Sequence, residues 1–162
     1  MEKTKIRDMA GTGPLGFGLC ILVFVTFWKI EKVAEITPLY GNKLIHYILA
    51  ALLLCAAAVV FFAAIRAMPI AKHNKSLVRH GVYSYLRHPR YSAFVFLVYP
   101  AFALLVHSYL CLISTIGAYA IFRLSAVLEE RKLIRTFEQE YKDYMKETPG
   151  FIPKILRHQG KI

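Results

Sequence analysis

Residues Leu44–Ile65 read LIHYILAALLLCAAAVVFFAAI, about 22 positions without a formal charge, enough to cross a hydrocarbon core of about 30 Å as a helix. One secure span fixes the solvent for the whole chain. Immediately downstream, the stretch from Arg66 to Arg90 holds Arg66, Lys72, Lys75, Arg79, Arg87 and Arg90 and no acid at all. Short basic loops stay on the cytoplasmic side, so this one is expected there. Upstream lies a second apolar block, Gly13 to Trp28, preceded by Lys3, Lys5 and Arg7. Two crossings separate that basic cluster from the basic loop, which places both on the same side. The block resembles a signal peptide in length and flank, but no convincing small-x-small site follows it, and an uncleaved anchor helix is expected.

The third apolar block runs from Tyr91 to about Leu128, and one helix of that length would exceed about 50 Å at 1.5 Å per residue. A hairpin is therefore expected, broken at His107-Ser108, with each arm short for a full crossing. The total is then four transmembrane helices in an all-α membrane protein, with both termini cytoplasmic. From Glu129 the chain becomes strongly charged. Leu133, Phe137, Tyr141 and Tyr144 recur at helical spacing beside Ile134 and Met145, which predicts an amphipathic cytoplasmic helix ended by Pro149 and Gly150. Phe151-Ile152-Pro153 would return the chain to the membrane interface.

Composition narrows the function. Of 162 residues, 57% are hydrophobic and only 19% charged, so the formal charge of +11 is spread between apolar blocks and not along a nucleic-acid-binding face. The basic residues read as topology determinants and anionic-lipid contacts. Cys20, Cys55 and Cys111 all fall in apolar stretches, with no CxxC pair, so neither disulfides nor zinc is indicated. His73, His80 and His107 have no carboxylate at helical ligand spacing, and no metal is expected. His46 reads as an interfacial or bundle-packed residue. No P-loop, GxGxxG or Ser–His–Asp set is present.

Two constellations remain. In Gly81-Val-Tyr83-Ser-Tyr85-Leu-Arg87-His88-Pro89-Arg90-Tyr91, proline suits a first helical turn and turns the preceding residue away from helix. A helix should open at Pro89, with its N-terminal dipole, Arg87 and His88 all favouring an anion, and with Tyr91 one turn along. The same residues also suit a basic and aromatic interfacial belt. The second constellation is Glu129-Glu130, the first acids after Glu35. Adjacent helical residues point about 100° apart, so one carboxylate can face a pocket while the other faces water. Arg123, seven residues before Glu130, offers a purely structural ion pair instead.

Taken together and in order, Gly81-x-Tyr83, Arg87-His88-Pro89-x-Tyr91, Glu129-Glu130 and Phe137-x-x-x-Tyr141-x-x-Tyr144 ending at Pro149 and Ile152-Pro153 resemble the isoprenylcysteine carboxyl methyltransferase family. That family falls within the wider group of membrane methyltransferases that also act on phospholipids. The resemblance covers Leu77 to Pro153. It implies one membrane-embedded domain over 1–162, in which 1–65 supplies two N-terminal helices and 66–162 the cofactor-binding catalytic core. It further implies S-adenosylmethionine held between the Arg87-His88-Pro89 segment and the Glu129-Glu130 helix, and a prenylated or other lipid-like acceptor entering from the bilayer. On that reading His80, Gly81, Tyr83, Arg87, His88, Tyr91, Glu129 and Glu130 form the cofactor site, and Arg87 and Glu130 carry the catalytic work. Two positions depart from the family, which commonly has glycine where this chain has Ala93 and Glu138. The second departure suggests that no left-handed backbone is needed at 138.

Rival readings follow from the same features. A membrane sterol reductase resembles the family in its C-terminal half but needs room for a dinucleotide that this chain lacks. A phospholipid or small-thiol methyltransferase differs only in acceptor, and an amine acceptor would require a base near the methyl group. A non-catalytic adaptor would use the basic loop to bind anionic lipid, leaving the acid pair without a role.

Overall fold

A computed structural model describes residues 13–36, 38–68 and 77–153. Lys3, Lys5, Arg7, Lys72, His73 and Lys75 lie outside them. Among the described residues the chain is all-helical: α1 (Gly13–Val33), α2 (Lys43–Ala67), a 3₁₀ turn (Gly81–Ser84), α3 (Pro89–Leu105) and α4 (Tyr109–Glu147). α1, α2 and α4 are each long and apolar enough to cross a membrane. α3 is shorter, about 25 Å at 1.5 Å per residue.

Packing follows the sequence simply. α1 lies along α4 and α2 along α3. α2 buries little more than His46, Ala50, Ala57 and Ala64, one narrow stripe, while Leu52, Val59 and Phe62 stay exposed on the side that lipid would cover. The better-packed core sits between α1, α3 and α4, where Cys20, Tyr91, Val95, Tyr99, Phe122 and Phe151 pack together with Phe17, Phe24 and Phe94. Phe17 meets Phe94 and Phe122 edge to face at 4.7 and 5.0 Å between ring centroids.

The expected hairpin break at His107-Ser108 is present. His107 takes a positive φ of 52°, and Ser108 caps α4 by accepting from Cys111 N–H. The turn is tied down by Glu31, buried at the end of α1, whose Oε2 accepts from Ser108 Oγ at 2.6 Å and from Leu110 N–H at 2.8 Å. A carboxylate at a helix N-terminus also complements the dipole. Glu31→Ala leaves two donors without their acceptor and should cost about 2 kcal/mol, read as a fall in the thermal midpoint of purified protein, with Glu31→Gln intermediate. His46, on the first turn of α2, is bundle-packed: its Nδ1 lies 3.1 Å from His107 Nδ1.

Inside α3 the segment Phe94–Val98 widens to π-helix, with Tyr99 N–H bonding back to Phe94 O. Pro100 explains the change of register, because it lacks an N–H and its ring would clash with a carbonyl four residues earlier. Ala93, the residue before the π-helical segment, is buried.

Glu138 corrects the sequence expectation. Its φ of 46° and ψ of −118° put it in a backbone region natural to glycine, and α4 kinks there. The residue is exposed, so the chain holds the bend despite its side chain. The chain past the kink therefore continues α4, and Tyr144 there reaches Tyr83 O in the 3₁₀ turn. Glu138→Gly should relieve strain and raise stability by about 1 kcal/mol, detectable as a higher unfolding midpoint.

Candidate active site

The site is assembled where α3 begins, α4 leaves its apolar portion and the chain after α4 returns. Pro89 opens α3 as the sequence requires, with His88 as the residue before the first turn. The backbone of Arg87 and His88 is pinned from the far end of the sequence: Arg87 N–H donates to Pro149 O at 2.9 Å and His88 N–H to Gly150 O at 3.0 Å. Those two backbone donors are consequently spent on the fold. Ser92 completes the clamp, its Oγ lying 3.0 Å from His88 O and 2.8 Å from Phe151 O.

Glu130 is the centre. Only 5% exposed, its Oε1 lies 2.8 Å from Arg87 Nη1 and 2.9 Å from His88 Nε2. Arg123, the structural partner proposed from spacing, is exposed instead, and Glu130 takes its cations from the other constellation. Burial pushes the Glu130 carboxyl up, but the His88 hydrogen bond and the Arg87 charge outweigh it, leaving the carboxyl below its ordinary range. Glu130 is thus ionised at neutral pH.

Glu129, one residue earlier, points to a different partner. Tyr91 Oη donates to its Oε1 at 2.5 Å, and its Oε2 lies 4.0 Å from His88 Nδ1. His88 therefore stands between two carboxylates, with its ring stacked on Tyr91 at 5.6 Å and 6° between planes. The divergence of adjacent helical positions has been used to give each glutamate its own tyrosine or arginine.

A layer of phenols closes the arrangement. Tyr83 Oη accepts from Arg90 at 3.2 Å, while Tyr144 Oη donates to Tyr83 O at 2.6 Å. Tyr141 is buried beside both Glu130 and Arg87. Burial raises the Tyr141 and Tyr144 hydroxyls above the ordinary tyrosine range, so both stay protonated, Tyr144 as a donor to Tyr83 O and Tyr141 beside the Arg87 guanidinium. Arg79 covers the Tyr144 ring at 5.7 Å and bonds to Glu140 O, bracing the far side of the kink.

Arg87, His88, Tyr91, Glu129 and Glu130 are thus brought together, with Tyr83 adjacent. His80 and Gly81 contribute the exposed start of the 3₁₀ turn, Gly81 at φ 63°, and are not in the cluster of bonds just described. Several participants had not been singled out as site residues, Tyr141, Tyr144, Phe151, Ser92 and Gly13 among them. Ser92 carries no signal beyond its place beside Tyr91. Gly13 sits so close that a Cβ there would lie 3.0 Å from Tyr91 Oη, which brings the start of α1 against the site.

A sequence model of the isoprenylcysteine carboxyl methyltransferase family matches residues 52–135, just over half the chain. The chain belongs to that family. The matched window contains the whole Arg87–Tyr91 segment and both glutamates, and it ends before Phe137, so it reaches every member of the buried cluster except the tail residues. No curated protein matches the chain. Membership in the isoprenylcysteine carboxyl methyltransferase family makes this a membrane-embedded methyltransferase, in keeping with the three helices among the described residues that are long and apolar enough to span a bilayer.

Proposed function

We propose that the protein transfers the methyl group of S-adenosylmethionine to the carboxylate of a C-terminal isoprenylcysteine presented from the bilayer. The observation that carries this reading is Arg87. Its side chain is 10% exposed, its Nη1 lies 2.8 Å from an ionised Glu130, and its Nε has no hydrogen-bond partner among the described residues. A buried guanidinium donor without an acceptor suits an additional anion.

The residues present fit the cofactor. Arg87 would hold a carboxylate, Glu129 or Glu130 an ammonium or ribose hydroxyls, and the faces of Tyr83 or Tyr91 a sulfonium. When bound, S-adenosylmethionine supplies an electrophilic methyl group. The protein's part is then positional. A carboxylate acceptor is ionised at neutral pH and needs no base, so the side chains orient it and exclude water from it. Tyr91 fixes Glu129, the Pro149–Gly150 carbonyls fix the backbone of Arg87 and His88, and the buried phenols displace solvent.

The same reading makes α3 a fourth crossing and sets the basic 66–90 stretch, the charged end of α4 and both termini in the cytoplasm. A C-terminal tag accessible from outside intact cells would overturn that orientation. The cofactor is tested by calorimetry on detergent-purified protein. Saturable binding of S-adenosylmethionine, lost in Arg87→Ala and Glu130→Ala, followed by transfer of labelled methyl to a synthetic S-prenylcysteine, is the expected result. Folded wild-type protein that binds no cofactor, with or without the prenylcysteine present, would overturn it.

A further inference from the structure

One face of α4 is left over by the site. With about 100° between successive residues, Ile113, Ile116, Leu124 and Leu128 fall on a single arc of the helix, and Arg131 and Arg135 continue the same arc beyond Leu128, with Lys132 at its edge. The apolar members are open to the surroundings: Ile116 is 73% exposed and Leu124 67%. Arg131, Lys132 and Arg135 are exposed as well, and with Leu128 they line a shallow groove of about 280 Å³. Apolar surface thus gives way to basic surface over about one turn, without leaving the face.

The acids that might neutralise Arg131 and Arg135 are engaged elsewhere. Glu129 is turned to Tyr91 and Glu130 to Arg87 and His88, while Glu140 pairs with Arg79 across the kink. Glu138, the next acid past Arg135, lies at the kink, and among the described residues no carboxylate pairs with Arg131 or Arg135. The arginines also follow directly on the apolar part of α4, where a span would meet the headgroups. A fixed phosphate beneath two acyl chains matches that order of surfaces: planar guanidinium groups at the phosphate, Leu128 and Leu124 along the chains.

We infer that this face is a binding site for one anionic phospholipid, its phosphate held by Arg131 and Arg135 with Lys132 at the rim, and its acyl chains lying on Leu128, Leu124 and Ile116. The site backs directly onto the turn that carries Glu129 and Glu130. An occupied site would hold that turn at a fixed depth in the membrane.

Native mass spectrometry of the full chain in mild detergent, titrated with phosphatidylglycerol or phosphatidylcholine, tests the assignment. Wild type should retain one phosphatidylglycerol in preference to phosphatidylcholine. Arg131→Gln with Arg135→Gln should weaken that retention about tenfold or more, from the loss of two basic contacts. Lys142→Gln with Lys146→Gln removes the same charge from the distal end of α4 and should leave retention unchanged. Equal retention of the two lipids, equal loss in both double variants, or displacement of the lipid by equimolar inorganic phosphate would each overturn the proposal. An unchanged thermal midpoint in Arg131→Gln/Arg135→Gln, expected for exposed positions, separates lost binding from lost folding.

Discussion

Replacing Glu130 with alanine should reduce methyl transfer by about 100-fold or more and lower stability by about 3 to 5 kcal/mol, because it strands the charge of Arg87 in a buried site. Glu130 Oε1 serves Arg87 and His88 at once, at 2.8 and 2.9 Å, so one carboxylate holds two site residues in place. Arg87→Ala should be comparably inactive, and the two effects should not add. A double-mutant cycle with Glu130→Gln and Arg87→Gln, read as initial rates of labelled methyl incorporation, is therefore expected to show a coupling of about 1 to 3 kcal/mol. Additive losses would mean that the residues act independently. The pH dependence has a definite sign. Glu130's carboxyl is lowered, so its contribution is complete above its ordinary value of 4.5 and is lost only as pH falls through the lower folded-state value. Cofactor binding should thus be insensitive to Glu130 between pH 7 and pH 5 and should fail in stronger acid.

Much of this site could be read from residue types and spacing, for identifiable reasons. Pro89 marks its own helix start, and the absence of any acid between Glu35 and Glu129 leaves the glutamate pair as the natural counter-charge of the basic stretch. What spacing could not decide was which cation each glutamate takes. Arg123 lies seven residues from Glu130 on a compatible face, yet Arg87 wins because the α3–α4 hairpin brings the start of α3 beside the corresponding turn of α4. Glu138 misled the reading in the opposite way. Absence of glycine argued against a left-handed bend, but Glu138 adopts φ 46°, and the helix past it carries Tyr144 to its hydrogen bond with Tyr83 O in the 3₁₀ turn. The start of α1 was illegible for a third reason. Gly13 matters only because its missing Cβ admits Tyr91, and an absent atom has no periodicity.

Phe151→Ala should be the most damaging single change outside the charged cluster, with about 3 kcal/mol or more lost from stability and activity falling with it. Phe151 is 5% exposed, its ring centroid 5.7 Å from that of His88 and 5.6 Å from that of Tyr119. Its backbone carbonyl takes Ser92 Oγ–H, and the two residues before it take the N–H groups of Arg87 and His88. A buried aromatic thus anchors a three-residue backbone clamp. Without the ring, Pro149–Phe151 loses its hold on the core, and the start of α3 loses the carbonyls that orient Arg87 and His88. Ile152→Ala is the matched control, since Ile152 is 64% exposed one position further on and should change stability by less than about 0.5 kcal/mol. Thermal unfolding and cofactor calorimetry on the two variants separate the anchor from its neighbour. If Phe151→Ala remained as stable and as active as Ile152→Ala, the clamp would be incidental to the site, and the orientation of Arg87 would have to come from Glu130 alone.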